Sequence, residues 1–199
     1  MNGIVEQLRL EEDLLRNSSE NHCLVRVGSV PTIVMGISAK PETVIHLDKV
    51  PPEILIHRRF SGGGTVIVDE NTVFVTFICN KADFSFPAYP EPILRWAESM
   101  LAPVTPGLQL QENDFVIGKK KCGGNALYIK KDRWLVHTSF LWDFDAARMS
   151  LLKFPPKTPQ YRENRSHDEF LCKLCDFIPD RDAWIRELKG SLPTIFRQK

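Results

Sequence analysis

The stretch His57-Arg58-Arg59-Phe60-Ser61-Gly62-Gly63-Gly64-Thr65-Val66-Ile67-Val68-Asp69 sets three consecutive glycines, preceded by two arginines, between segments that read as β-strand. Glycine costs backbone entropy in a strand, so a run of three signals a local need for it. Without Cβ atoms the chain can take φ > 0 and bring successive N–H groups against a ligand, while Arg58 and Arg59 offer forked donors suited to phosphate or carboxylate. The run therefore reads either as an anion-binding turn or as a tight hairpin turn with solvated arginines. It matches neither common phosphate loop, since Gly-x-x-x-x-Gly-Lys-Ser/Thr is absent and the spacing is wrong for Gly-x-Gly-x-x-Gly.

Working outward, residues 54–56 lead into the turn as a strand. Residues 65–68 and 73–78 are dense in β-branched and aromatic side chains, and Asp69-Glu70-Asn71-Thr72 between them predicts a hairpin with the glycines at one end. Upstream, residues 3–16 read as an amphipathic helix with Ile4, Leu8 and Leu15 on one face and solvated acids on the other. Two short strands, 23–27 and 32–37, are broken at Gly28 and Pro31, and residues 39–53 form a loop with one helical turn around Leu47. Downstream, Ile93, Leu94, Ala97 and Leu101 fall at helical spacing over 90–101, ended by Pro103, and 115–117, 126–129 and 134–142 are further strands. At least six strands with intervening helices predict a mixed sheet with helices on its faces.

The tail differs in character. Residues 153–165 are proline-rich and basic, a loop able to lie over the site; Ser166 and Glu169 match a capping box opening a helix to about Phe177; and Asp180 caps a last helix ending near Gly190, so that 166–190 is a helical tail. The whole of 1–199 is expected to be one domain, without a C-terminal accessory domain.

Composition narrows the function classes. With 26 basic and 25 acidic residues the formal charge is +1, so no global basic field points to nucleic acid and any anion site must be local. No apolar run approaches a membrane span, and the acidic N-terminus lacks targeting character, which points to a cytoplasmic or organelle-matrix protein. Five scattered cysteines read as reduced thiols; Cys172 and Cys175 form a lone Cys-x-x-Cys that fits small core residues better than a zinc site.

Three ordered motifs carry a resemblance. Arg58-Arg59-Phe60-Ser61-Gly62-Gly63-Gly64-Thr65-Val66 resembles the glycine-rich signature of the lipoate-protein ligase A family; Asn113-Asp114-Phe115-Val116 and then Lys121-Cys122-Gly123-Gly124-Asn125-Ala126 agree in order and spacing, the latter similar to the family's Lys-x-x-Gly-x-Ala. Residues 134–141 resemble the His-His-Gly-Thr-Leu-Leu strand, with Val136 in place of the first His and Thr138 in place of the Gly, and Val68 stands where many members have His. Together the matches span about residues 57–145.

The resemblance implies an α+β fold similar to the biotin/lipoate-ligase catalytic domain, a central mixed β-sheet with flanking helices. It implies activation of lipoate or octanoate with ATP and Mg²⁺ to an acyl-adenylate, and transfer to a lysine of an apo lipoyl domain of 2-oxoacid dehydrogenase complexes or of the glycine cleavage H protein. In that reading Lys121 is catalytic, while Arg58, Arg59, Ser61, Gly62, Gly63, Gly64, Thr65, Asn113, Asp114, Gly124, Ala126 and His137 bind substrate or adenylate, with Asp114 a candidate for Mg²⁺. Full-length members often carry a second small domain, so either residues 153–178 serve as the lid or an accessory domain is supplied in trans. Biotin ligation is disfavoured, because a Gly-Arg-Gly-Arg type loop is absent.

Read residue by residue, Lys119, Lys120 and Lys121 are either a solvated strand end or, at Lys121, a cation for a charged transition state. Cys122 is either a small residue beside a glycine turn or the nucleophile of an octanoyl or lipoyl transferase using a thioester donor. His137 has no acid partner nearby in sequence and reads as a core or substrate-packing histidine. Arg162, Arg165 and His167 form a local cationic set, either a surface turn or a phosphate-side flap. A non-catalytic lipoyl-binding module is the remaining alternative.

Overall fold

The computed structural model describes residues 3–155 and 158–198. Helix α1 (Ile4–Asn17) turns Ile4, Gln7, Leu8, Glu11, Leu14 and Leu15 inward, the i, i+3, i+4, i+7 stripe of a helix that packs on a sheet. Two of the six are polar, so the expected solvated acidic face holds only in part: Glu11 is fully buried.

Strands β1 (Asn21–Val27) and β2 (Thr32–Met35) follow, then α2 (Pro41–Val44), a 3₁₀ turn at Leu47–Lys49, β3 (Leu55–Arg58), β4 (Val66–Val68) and β5 (Thr72–Asn80). The expected hairpin between β4 and β5 does not form. Strand β4 pairs with β2 and β5 with β1, both antiparallel, and the register is the same on either side of a corner, with Val27 opposite Val73 and Thr32 opposite Val68. One ladder thus bends into two sheets. Gly28, at φ 75°, makes the bend on one chain, Asp69–Thr72 makes it on the other, and Gly28 N–H donates to Thr72 O and Ser29 N–H to Asp69 O across it. The turn chemistry of residues 69–72 was legible; its use as a sheet corner was not.

After α3 (Pro90–Leu101) come β6 (Leu108–Gln111), β7 (Asp114–Ile117), β8 (Lys120–Ile129) and β9 (Arg133–Leu141), then α4 (Ala146–Met149), α5 (His167–Phe170), α6 (Arg181–Ser191) and β10 (Phe196–Gln198). The larger sheet runs β10-β1-β5-β9-β8-β7-β6 and the smaller β3-β2-β4; each contains one parallel pairing, β1 with β10 and β2 with β3. Both sheets are mixed and flanked by helices, as expected for this α+β class. Strands β6 and β10 were not anticipated, being edge strands of only four and three residues; the Leu108-Gln109-Leu110-Gln111 alternation is a signal for β6 that sequence reading passed over.

Strand β5 is buried on both faces, which is why it reads as an unbroken apolar run. Val73, Val75, Phe77 and Cys79 pack with Ile93, Leu94, Ala97 and Leu101 of α3 and with Trp184 and Leu188 of α6, while Phe74 and Ile78 face α1. Burying each large side chain in this way stabilises the fold by about 1.5–3 kcal/mol.

The Ser166–Glu169 capping box forms as expected, but its helix stops at Phe170 instead of about Phe177. Strand β9 pairs with β8 only from Gly123 onward, leaving the Lys121 carbonyl free, and the tail takes it: Leu171 bridges Lys121 and Cys172 N–H donates to Lys121 O at 2.9 Å. A 3₁₀ turn at Leu174–Asp176 follows, so Cys172 and Cys175 do not share a helix. The five cysteines are free thiols, and among the described residues no group of three His, Cys, Asp or Glu side chains is placed to hold a metal. No helix among the described residues is long and apolar enough to cross a membrane.

Candidate active site

A cleft of about 880 Å³ opens where the corner, the first turns of α1, strands β8 and β9, and residues of 153–155 and 158–171 meet. Its walls include Arg59, Gly63, Gly64, Thr65, Asn113, Asp114, Lys121, Gly124, Ala126 and His137, ten of the thirteen residues expected from sequence. Arg58, Ser61 and Gly62 lie outside it. Arg58 is exposed and donates to the carbonyls of Gly36, Ile37 and Ala39, so it braces the 36–39 loop. Ser61 is buried, its carbonyl accepting from Ile37 N–H, and Gly62 N–H donates to Leu127 O.

Arg59 turns inward and holds the glycine turn from within. Its Nε and Nη2 donate to Gly62 O at 3.2 and 2.8 Å, Nη2 to Gly64 O at 2.7 Å and Nη1 to Val34 O at 3.3 Å. All four bonds go to carbonyls, leaving the buried positive charge without an anion among the described residues, and burial pulls its pKa down to about 10. Gly63 has φ +100°, and a Cβ there would meet Arg59 Nη2 at 2.8 Å and Asn125 O at 3.0 Å. Gly36 is required in turn, because its Cβ would lie 2.2 Å from Gly63 O. Sequence reading passed over Gly36.

Lys121 reaches the cleft through a β-bulge. Phe115 lies opposite Gly123 but Val116 opposite Lys121, so Cys122 is the extra residue of β8. The bulge puts Cys122 and Gly123 on the core side, where a Cβ on Gly123 would lie 2.9 Å from Phe140, and Lys121 and Gly124 on the cleft side. Gly124 gives the lysine its lane, since a Cβ there would sit 3.2 Å from Nζ. The Lys-x-x-Gly spacing thus acquires a geometric reason: three residues plus one bulge return to the same face.

The ammonium of Lys121 lies 2.8 Å from Asp114 Oδ1, and Tyr161 O–H donates to Asp114 Oδ2 at 3.0 Å. Both oxygens of the candidate metal carboxylate are therefore engaged by side chains. Tyr161 N–H also donates to Glu112 Oε1, fastening the tail across the β6–β7 turn. Asn125 links the two motifs, donating to Asn113 O and accepting from Thr138 O–H at 2.6 Å.

Deeper in, Ile4, Leu8, Val34, Val66 and Val68 line an apolar part of the cleft, with His137 on the same wall. The acid partner absent from the neighbouring sequence is Glu11, both of whose oxygens lie 2.9 Å from His137 Nδ1. Sequence reading placed Glu11 on the solvated face; the signal it passed over is that Glu11 falls three residues after Leu8 and four before Leu15, on the buried stripe. Cys122 does not line the cleft; its hydrogen bond with Cys172 and its burial push the thiol pKa far up, unlike an activated nucleophile.

The family model for the lipoyl protein ligase A/B catalytic domain matches residues 4–197. This chain belongs to that family. Among relatives of the lipoyl protein ligase family, the chain is 27% identical to the inactive lipoate–protein ligase 2 of Plasmodium falciparum, over 93% of this chain and 59% of that protein. It is 31% identical to a probable lipoate-protein ligase A of Mycoplasma genitalium, over 71% of this chain and 44% of the relative. The chain thus spans about half the length of such relatives. In structure, the bi-partite lipoate protein ligase of Thermoplasma acidophilum, solved with its E2 lipoyl domain, superposes at a TM-score of 0.80 over 100% of this chain and 83% of that one, at 19% identity. A lipoate-protein ligase A bound with ATP superposes at 0.75, over 96% and 82%, also at 19% identity. The fold is that of the family's catalytic domain.

Proposed function

We propose that this chain activates lipoate or octanoate with ATP and passes the acyl group to a lysine of a lipoyl domain. The observation that carries the reading is Lys121, aimed by a bulge into the cleft that Arg59 and the glycine turn also line. In activation a carboxylate oxygen bonds to the α-phosphorus and the bond to pyrophosphate breaks; in transfer the amine nitrogen attacks the acyl carbonyl, AMP leaves, and the amine proton passes to solvent. An ammonium between the two reacting anions offsets charge that builds in the first step. Asp114 holds that ammonium in register until a phosphate competes for it.

The groups in the cleft fit the ligands of this reaction. A buried guanidinium without an anion and an open, Cβ-free approach at Gly64 suit a phosphate, while the apolar stretch from Ile4 to Val68, with His137 beside it, suits an acyl chain. Among solved structures of relatives, one has ATP bound, one has lipoic acid bound and one includes an E2 lipoyl domain, which supports the same ligand and partner classes here. Mg²⁺ fits less well as a resident of Asp114, whose oxygens are occupied by Lys121 and Tyr161. Acceptors from the 2-oxoacid dehydrogenase complexes or the glycine cleavage system, and an accessory domain in trans, belong to this proposal.

A thioester route through Cys122 is disfavoured by its burial on the α3 side. A non-catalytic module is favoured by one observation, the relative named as inactive. Two assays on the purified chain decide: lipoate-stimulated pyrophosphate release from ATP, and transfer from preformed lipoyl-AMP to an apo lipoyl domain. Absence of both from folded protein would leave the binding module standing.

A further inference from the structure

We propose that Arg162, with His167 beside it, is a second anion seat, on the tail side of the cleft, that takes a pyrophosphoryl group. Arg162 is only 3% exposed yet lines the cleft. Its Nε donates to Arg165 O at 3.0 Å, whereas Nη2 is sealed from solvent without a partner and Nη1 finds no acceptor among the described residues. The guanidinium is held between the rings of Phe154 and Phe170, at 4.2 and 4.8 Å from their centroids, so its orientation is fixed before any ligand arrives. A buried cation left without an anion is costly, and a purely packing role would be served by an apolar side chain.

The neighbouring arginine shows the contrast. Arg165 donates to Lys119 O at 2.9 Å, Tyr161 O at 2.6 Å and Arg162 O at 3.0 Å, a brace with every nitrogen used, so of the two arginines of the flap reading only Arg162 keeps guanidinium nitrogens available for a phosphate. His167 and Lys121 border the same volume, and Asp114, whose charge also reaches Arg162, is already paired with Lys121 at 2.8 Å. Arg59, Lys121 and Arg162 are three of the five Lys and Arg side chains that line the cleft among the described residues, Lys40 and Lys153 being the others. A lone carboxylate cannot span three such groups, whereas a chain of phosphates can, and the planar fork of Arg162 matches two phosphoryl oxygens. Assigning the anion to the leaving end of ATP rests on the ligase reading; the seat itself does not.

The test is calorimetric titration of the whole chain with sodium pyrophosphate and, separately, with AMP. Wild type should bind pyrophosphate, Arg162→Gln should weaken it by about 10-fold or more, and AMP should be affected far less. Arg162→Lys, which keeps the charge, should recover part of the loss, and near-UV circular dichroism reports folding of each variant. Arg165→Gln loosens the brace and should weaken pyrophosphate less than Arg162→Gln does. The proposal is overturned by wild type that ignores pyrophosphate, by Arg162→Gln binding it undiminished, or by Arg165→Gln losing as much. A chain that binds pyrophosphate through Arg162 but releases none from ATP and lipoate would keep this inference and sink the ligase reading.

Discussion

His137 Nδ1 lies 2.9 Å from both carboxylate oxygens of Glu11, a residue 126 positions earlier, and Thr76 O–H and Gln7 Nε2 donate to the same carboxylate at 2.8 and 2.9 Å. With Nδ1 given to Glu11, the other imidazole nitrogen is left for the cleft. Glu11→Leu would strand three buried donors, so we expect a loss of about 3–5 kcal/mol in urea unfolding. Glu11→Gln, which keeps an acceptor, should cost about 1–3 kcal/mol. A Glu11→Leu protein within about 1 kcal/mol of wild type would mean the network does not hold α1 to the sheet.

This pair also marks where sequence reading stops. The helix, its buried stripe and the capping box were legible because they are local, set by 3.6-residue spacing and by a three-residue hydrogen-bond pattern. The glycine turn and the lysine motif were legible as unusual compositions. What was not legible depends on contacts between distant segments: the corner that sends β4 and β5 to different sheets, the bulge at Cys122, and Tyr161 meeting Asp114 from 47 residues away. Arg58 and Arg59 look equivalent in a string, and only the turn around Arg59 decides which one is inside.

The glycines of the turn are not interchangeable. Gly36→Ala drives a Cβ against the Gly63 carbonyl and Gly63→Ala adds the penalty of φ +100°, so each should lose about 1–3 kcal/mol in thermal or denaturant unfolding. Gly64 has nothing within 4 Å of its Cβ position, and Gly64→Ala should be near wild type in stability. Gly63→Val should additionally abolish binding of an acyl-adenylate analogue. Equal stability for all three alanine variants would remove the physical basis assigned to Gly36 and Gly63.

His167 should titrate below the ordinary histidine range, because burial, then the charges of Arg162 and Lys121, disfavour its proton, with Asp168 opposing them. A depressed folded value means the unfolded chain binds more protons, so this group's contribution to stability is full above the ordinary histidine pKa and is lost as pH falls through the folded value. Imidazole resonances followed by NMR should show the pKa rise in Arg162→Gln. A titration unchanged by that substitution would separate the two residues electrostatically.

The lysine prediction joins fold and chemistry. Lys121→Ala should lower lipoate-dependent pyrophosphate release by about 10²–10³. Stability should change by no more than about 1 kcal/mol, because the lysine is partly exposed and Tyr161 still donates to Asp114. Lys121→Arg should fail as well: the lane over Gly124 admits a slender chain, and a planar guanidinium is a poor substitute for a compact charge. Gly124→Ala narrows that lane, placing a methyl 3.2 Å from Nζ, and a displacement of a few tenths of an ångström at the reacting charge should cost about 10-fold in rate with little loss of stability. Lys119→Ala is the control, since Lys119 is exposed and it is its backbone carbonyl that accepts from Arg165. Wild-type pyrophosphate release from Lys121→Ala would show the role misassigned, and a larger loss from Gly124→Ala than from Lys121→Ala would show that the glycine serves the ligand rather than the lysine.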